Sequence, residues 1–66
     1  MAIVKVVEVI AESKKSWEAA AEAAVKEASK TVRNIKHLYV EGQQAIVEDE
    51  KIVKYRVNAK VSFLVD

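Results

Sequence analysis

The chain has 66 residues, 32% of them charged but balanced to a formal net charge of +1, and no cysteine. That balance, with no polybasic tract, argues against nucleic-acid binding and against adhesion to an anionic membrane, and the lack of thiols excludes disulfides and thiolate metal ligands. One domain of this size buries only about 60% of the surface its unfolded chain exposes, so oligomerisation or very good packing must supply the rest of its stability.

Residues Ala2 to Glu12 are rich in Val and Ile, which favour the pleated surface of a strand. Apolar side chains fall on both faces, with Ile3, Val7 and Val9 on one and Val4, Val6 and Ile10 on the other. Such a strand needs cover on two sides; a helix supplies one, and a neighbouring subunit is expected to supply the second. The apolar runs are broken by Lys5 and Glu8, far short of the ~20 residues of a bilayer span, and no cleavable signal pattern opens the chain. The expectation is a soluble, cytoplasmic protein, which the lack of cysteine suits.

Ser13 to Ser16 break the strand pattern, and Ser16 or Ser13 can cap a helix by accepting from its first free N–H groups. Trp17, Ala20, Ala21, Ala24, Val25, Ala28 and Val32 then recur at the three-and-four spacing of one helical face, predicting a helix that ends near Arg33 or Asn34. Glu18 and Glu22 lie toward its positive end and Lys26, Lys30 and Arg33 toward its negative end, with Glu22 and Lys26 spaced for an ion pair. The alanines allow a close approach to a sheet, and Trp17 is the bulky anchor at one end.

From Ile35 to Val47 the chain is extended again, with Ile35, His37 and Tyr39 expected on one side and Leu38, Val40 and Ile46 at even positions. The single glycine, Gly42, marks a bulge or sharp bend. Glu48 to Lys51 form a polar turn into a last strand, Ile52 to Val65, whose alternation places Val53, Tyr55, Val57, Ala59, Val61, Phe63 and Val65 on one face and Lys54, Arg56, Asn58, Lys60 and Ser62 on the other. The order β-α-β-β predicts an α+β domain over residues 1–66, a three-stranded antiparallel sheet wrapped around one helix with the third strand between the first and second.

Ser16-Trp17-Glu18-Ala19-Ala20 at the helix entry, Lys30-Thr31-Val32-Arg33-Asn34-Ile35 after it, and the closing run Tyr55 to Phe63 resemble the dodecins, small flavin-binding proteins of bacteria and archaea. The resemblance spans essentially the whole chain. It implies a hollow homododecamer with cubic 23 symmetry that binds flavins (riboflavin, FMN or FAD) in pairs near three-fold axes. It also implies an isoalloxazine ring stacked on a tryptophan of the second strand and hydrogen-bonded by a glutamine of the third. Here those positions hold His37 and Arg56, a smaller ring and a group with donors but no acceptor.

The expected ligand-contacting residues are thus His37, Arg56 and Tyr39, the last because it shares a strand face with His37. Each has a plainer reading, as a surface or interface histidine, a salt-bridged arginine, and a tyrosine covering a neighbouring subunit. A lone histidine without Cys, a second His or a spaced carboxylate makes neither a metal site nor a catalytic triad. Glu48, Asp49 and Glu50 can attract a divalent cation at a site built across subunits, though they lack the spacing of a calcium loop. No phosphate loop, paired catalytic carboxylates or nucleophile with its base is recognisable, so no catalytic residues are expected. The expectation is a non-enzymatic homododecamer storing a small planar ligand, flavin by family default; the alternative is a flavin-free structural or cation-binding cage of the same architecture.

Overall fold

Three long strands and one helix follow each other as β1 (Ile3–Ser13), α1 (Trp17–Ala28), β2 (Ile35–Glu48) and β3 (Lys51–Val65) in the computed structural model, which describes residues 3–65. Ala2, assigned to the first strand from sequence, lies outside the described residues. The sheet order is β1-β3-β2, antiparallel throughout, so the longest and most regularly alternating strand is the central one, as expected.

Ser16 is the helix cap: its backbone is extended and its Oγ accepts from the Ala19 N–H at 3.0 Å. Ser13 instead accepts from the Lys15 N–H, shaping the preceding turn. The helix stops at Ala28, earlier than the expected Arg33 or Asn34. There the N–H groups of Lys30 and Thr31 turn back to the carbonyls of Glu27 and Ala28, three residues earlier. Thr31 and Val32, β-branched and poor helix formers, follow, and Asn34 takes a left-handed backbone (φ 61°) that swings the chain into β2. The ion pair on this helical segment joins Glu27 to Lys30 at 2.9 Å, rather than Glu22 to Lys26.

Ala20 and Ala24 are buried against Val57, Ala59 and Val61 of β3, and these five side chains are the whole buried core among the described residues. Trp17 closes one end of it. Its indole N–H donates to the Gln44 carbonyl at 3.0 Å and its ring meets Tyr55 edge-on, centroids 4.9 Å apart, which bears out the anchoring role.

Pairing partners share a sheet face, so the register fixes the side of every residue. β3 alternates as its sequence predicts from Lys54 to Val65, but a register shift where Ile46 pairs with Lys54 and Val47 with Ile52 leaves Val53 as an extra residue, so the expected alternation breaks there. In β2, register shifts between Ile35 and His37 and between Val40 and Gly42 leave Lys36 and Glu41 as extra residues. The first puts Ile35 opposite Phe63 on the helix side and His37 opposite Ser62 on the outer side, correcting the expectation that Ile35, His37 and Tyr39 share a face. The second moves Ile46 to the outer side, opposite Lys54, away from Leu38 and Val40. The bulge expected at Gly42 is thus present, one residue earlier, although Gly42 has no positive φ.

The β2–β3 turn is tighter than the predicted four residues. Asp49 and Glu50 alone make it, with φ of 51° and 65°, both left-handed, as in a type I′ hairpin turn. A non-glycine residue there carries a steric cost of about 1 kcal/mol. Glu50→Gly is therefore expected to raise the thermal midpoint by several degrees, since 1 kcal/mol moves a domain of this size by ~4–8 °C. An unchanged or lower midpoint in a thermal melt would contradict this assignment.

Candidate functional site

The outer side of the sheet, facing away from α1, carries the three residues singled out from sequence. His37 and Tyr39 project from β2 opposite Ser62 and Lys60, both exposed, and Tyr39 is 65% accessible. The bulge at Lys36 is what places them on this side. They present two ring systems, two residues apart, on one open surface.

Arg56 lies farther along β3, six residues from Ser62, which at ~3.3 Å per residue is about 20 Å from the His37 position. One chain therefore brings His37 and Tyr39 together and holds Arg56 apart. Arg56 is also engaged: its Nε donates to Glu12 Oε2 at 2.7 Å, directly across the β1–β3 ladder, and Lys54 approaches the other oxygen of the same carboxylate at 3.8 Å. A charge-assisted pair of this kind fixes the plane of the guanidinium. The group is about one third exposed, so the pair orients more than it stabilises.

Between these two places lies a polar cleft of about 440 Å³ that sequence reasoning did not single out, bordered by Glu8, Glu41, Gly42, Gln44 and Asn58. Glu41 is the extra residue of the second bulge and reaches Lys60 at 3.7 Å. Asn58 Oδ1 is buried without a hydrogen-bond partner. A Cβ added at Gly42 would meet nothing within 4 Å, so the missing side chain leaves open space in the cleft. The signals are present in part, in Gly42 and in the polar alternation of β3, but the β1 register that brings in Glu8 has no local sequence signature.

The acidic turn stands at the far end of the β2–β3 hairpin, and among the described residues no three His, Cys, Asp or Glu side chains converge into a metal-binding group. Also among the described residues, no helix is long and apolar enough to cross a membrane.

Two apolar surfaces remain uncovered. On the outer side Val4, Val6 and Ile10 of β1 are 59%, 52% and 65% exposed, as expected of a strand apolar on two faces, but the helix covers the other face only in part, since Ile3 and Val7 there are still 52% and 37% exposed. On the inner side a groove of about 730 Å³ runs between β1 and the second half of α1, walled by Val7, Val9, Ala24, Ala28 and Val32.

Comparison with known proteins completes the description. The family model described as Dodecin matches residues 3–66. No curated protein matches the chain. Among solved structures, a single-residue variant of the Thermus thermophilus dodecin superposes with a TM-score of 0.94 at 27% identity, over 100% of this chain and 98% of that one. The dodecin of Streptomyces coelicolor gives 0.93 at 26% identity, over 98% and 93%. The calcium dodecin of Mycobacterium tuberculosis, a calcium-chelating immunodominant antigen with a novel calcium-binding site, gives 0.84 at 34% identity, over 97% and 91%.

Proposed function

The chain belongs to the dodecin family, and on that premise we propose that it is a non-enzymatic, cytoplasmic binding protein whose copies close into a homododecameric shell and hold a small planar ligand, flavin by family default, between neighbouring chains. The observation that carries this reading is the apolar surface a single chain leaves in water. Val4, Val6 and Ile10 stand exposed on the outer side of an edge strand, with Glu8 between Val6 and Ile10, while the buried core among the described residues is Val57, Ala59 and Val61 of β3 and Ala20 and Ala24 of α1. An edge strand with this composition pairs or packs with another copy unless something covers it.

His37 and Tyr39 offer ring faces to such a ligand, and Arg56 offers a planar cation that stacks on a ring or pairs with a phosphate. Because Arg56 stands about 20 Å from His37 along the sheet, the pocket wall is composite, with Arg56 contributed by a different copy from the one contributing His37. Burial of an aromatic ring between symmetry-related residues excludes water and quenches its photochemistry. Titration with riboflavin or FMN tests this. Quenching of flavin fluorescence at micromolar ligand is the expected result; no change up to that range would leave the family architecture without its flavin role.

A second reading, a flavin-free cage that binds a divalent cation, has its own support. Arg56 is already held by Glu12, and the oxygens of Glu8, Glu41 and the unpartnered Asn58 Oδ1 border one cleft, a donor type that suits calcium or magnesium. Similarity to the calcium dodecin points the same way. A calcium titration of flavin-free protein separates the two readings: heat of binding lost in Glu41→Gln favours the cage.

A further inference from the structure

β1 stops pairing at Ser13, opposite Tyr55, so the hairpin segment from Ile46 to Lys54 runs on with only β2 and β3 paired to each other. It is an arm. The molecule measures 52 × 19 × 13 Å, long and thin, as an arm of this kind makes it. At its end Val47 and Ile52 face each other in the register, 59% and 52% exposed, immediately beside the acidic turn Glu48-Asp49-Glu50. An apolar pair of this size standing in water at a hairpin tip has no partner in its own chain.

The same chain carries an unfilled apolar groove. It lies between β1 and the second half of α1, and its walls are small side chains, Ala24 and Ala28 on the helix and Val7 and Val9 on the strand, which leave room for two branched side chains. The groove opens toward Lys30, Thr31 and Val32, and the adjoining hollow is bordered by Lys5 and Arg33. Among the described residues that border the groove and this hollow, the cations are Lys5, Lys30 and Arg33 and the one carboxylate is Glu27, paired with Lys30, which leaves Lys5 and Arg33 as the excess of positive charge. Knob and hole are thus matched twice, apolar against apolar and acidic against basic. They cannot meet within one chain: Val7 pairs with Val61, nine residues from Ile52 along β3 and so ~30 Å away.

We infer that the β2–β3 arm of one copy seats in the α1–β1 groove of a second copy, with Val47 and Ile52 against Val7, Ala24 and Ala28 and with the acidic turn against Lys5, Lys30 and Arg33. The contact rests on the assembly reading above and gives it a geometry. Two different surfaces of the chain meet, so the contact is heterologous, and repeating it generates a closed ring when the rotation closes. It also assigns a role to the acidic turn, whose charge otherwise only lends solubility.

The native chain has no cysteine, so single thiols can be introduced cleanly. The double variant Ala28→Cys/Ile52→Cys, treated with a short bis-maleimide and run on a denaturing gel, is expected to give interchain ladders. Each single variant is expected to stay largely at the mass of one chain. Ile52→Asp, at a position already exposed in the lone chain, is expected to lower the light-scattering mass below that of the native protein. Absence of ladders, or an Ile52→Asp protein of undiminished mass, while the native protein is an assembly, overturns the arm-in-groove contact and leaves the assembly reading intact. A native protein that is itself monomeric overturns both.

Discussion

The double variant His37→Trp/Arg56→Gln is expected to bind riboflavin at least tenfold more tightly than the native protein. Two effects act in the same direction. Indole offers a larger stacking face than imidazole, and stacking of an aromatic side chain on a planar base contributes ~1–3 kcal/mol, whereas a tenfold change in affinity needs only about 1.4 kcal/mol. Arg56 must also leave Glu12, to which its Nε donates at 2.7 Å, before it can turn to any ligand. Glutamine carries no such tie, and its amide both donates to and accepts from a flavin edge. Glu12 keeps Lys54 as a partner after the change, so the β1–β3 ladder should survive. His37→Trp alone is expected to provide most of the gain. Flavin fluorescence titration reads the result, and an affinity unchanged by both substitutions would mean that these positions do not touch the ring.

Charging the outer ridge of β1 should have a larger structural effect. In Val6→Asp/Ile10→Asp, two side chains now 52% and 65% exposed in the single chain become carboxylates on a surface that the assembled protein is expected to bury. Each loses about 1.5–3 kcal/mol of apolar burial, and each leaves a charge to be desolvated without a partner. Symmetry repeats both penalties in every copy. The expected outcome is a drop in light-scattering mass to that of small species, together with a much lower thermal midpoint, since the lone chain has only five buried side chains among the described residues. Native mass and native midpoint would show that this face stays in water in the assembly.

Much of the fold was legible because its signals are local. The two-residue period of β3, the three-and-four spacing from Trp17 to Ala28 and the Ser16 cap are each written within a single turn or strand, and the antiparallel order β1-β3-β2 follows from short connections. What escaped was anything that depends on counting across strands. A period of two assumes that no residue is skipped, and the extra residues Lys36 and Glu41 reversed the faces of Ile35 and Ile46 relative to their neighbours. The helix exit was overrun because Val32 continues the apolar spacing after the backbone has already turned at Ser29.

The site divides in the same way. That His37 and Tyr39 share a face could be read from their spacing, since no bulge falls between them. The tie between Arg56 and Glu12 could not, because the two are 44 residues apart and meet only through the β1 register. Asn58 looked like one more polar residue of an alternating strand. Its unpartnered oxygen becomes visible only when Gly42, Glu8 and Glu41 are placed around it.

The assembly is the premise shared by the composite pocket, the arm in its groove and the ridge on β1. Multi-angle light scattering of the freshly purified protein at low concentration tests it most directly. The account predicts the mass of a homododecamer, held on dilution; a well-folded species with the mass of a single chain would contradict it.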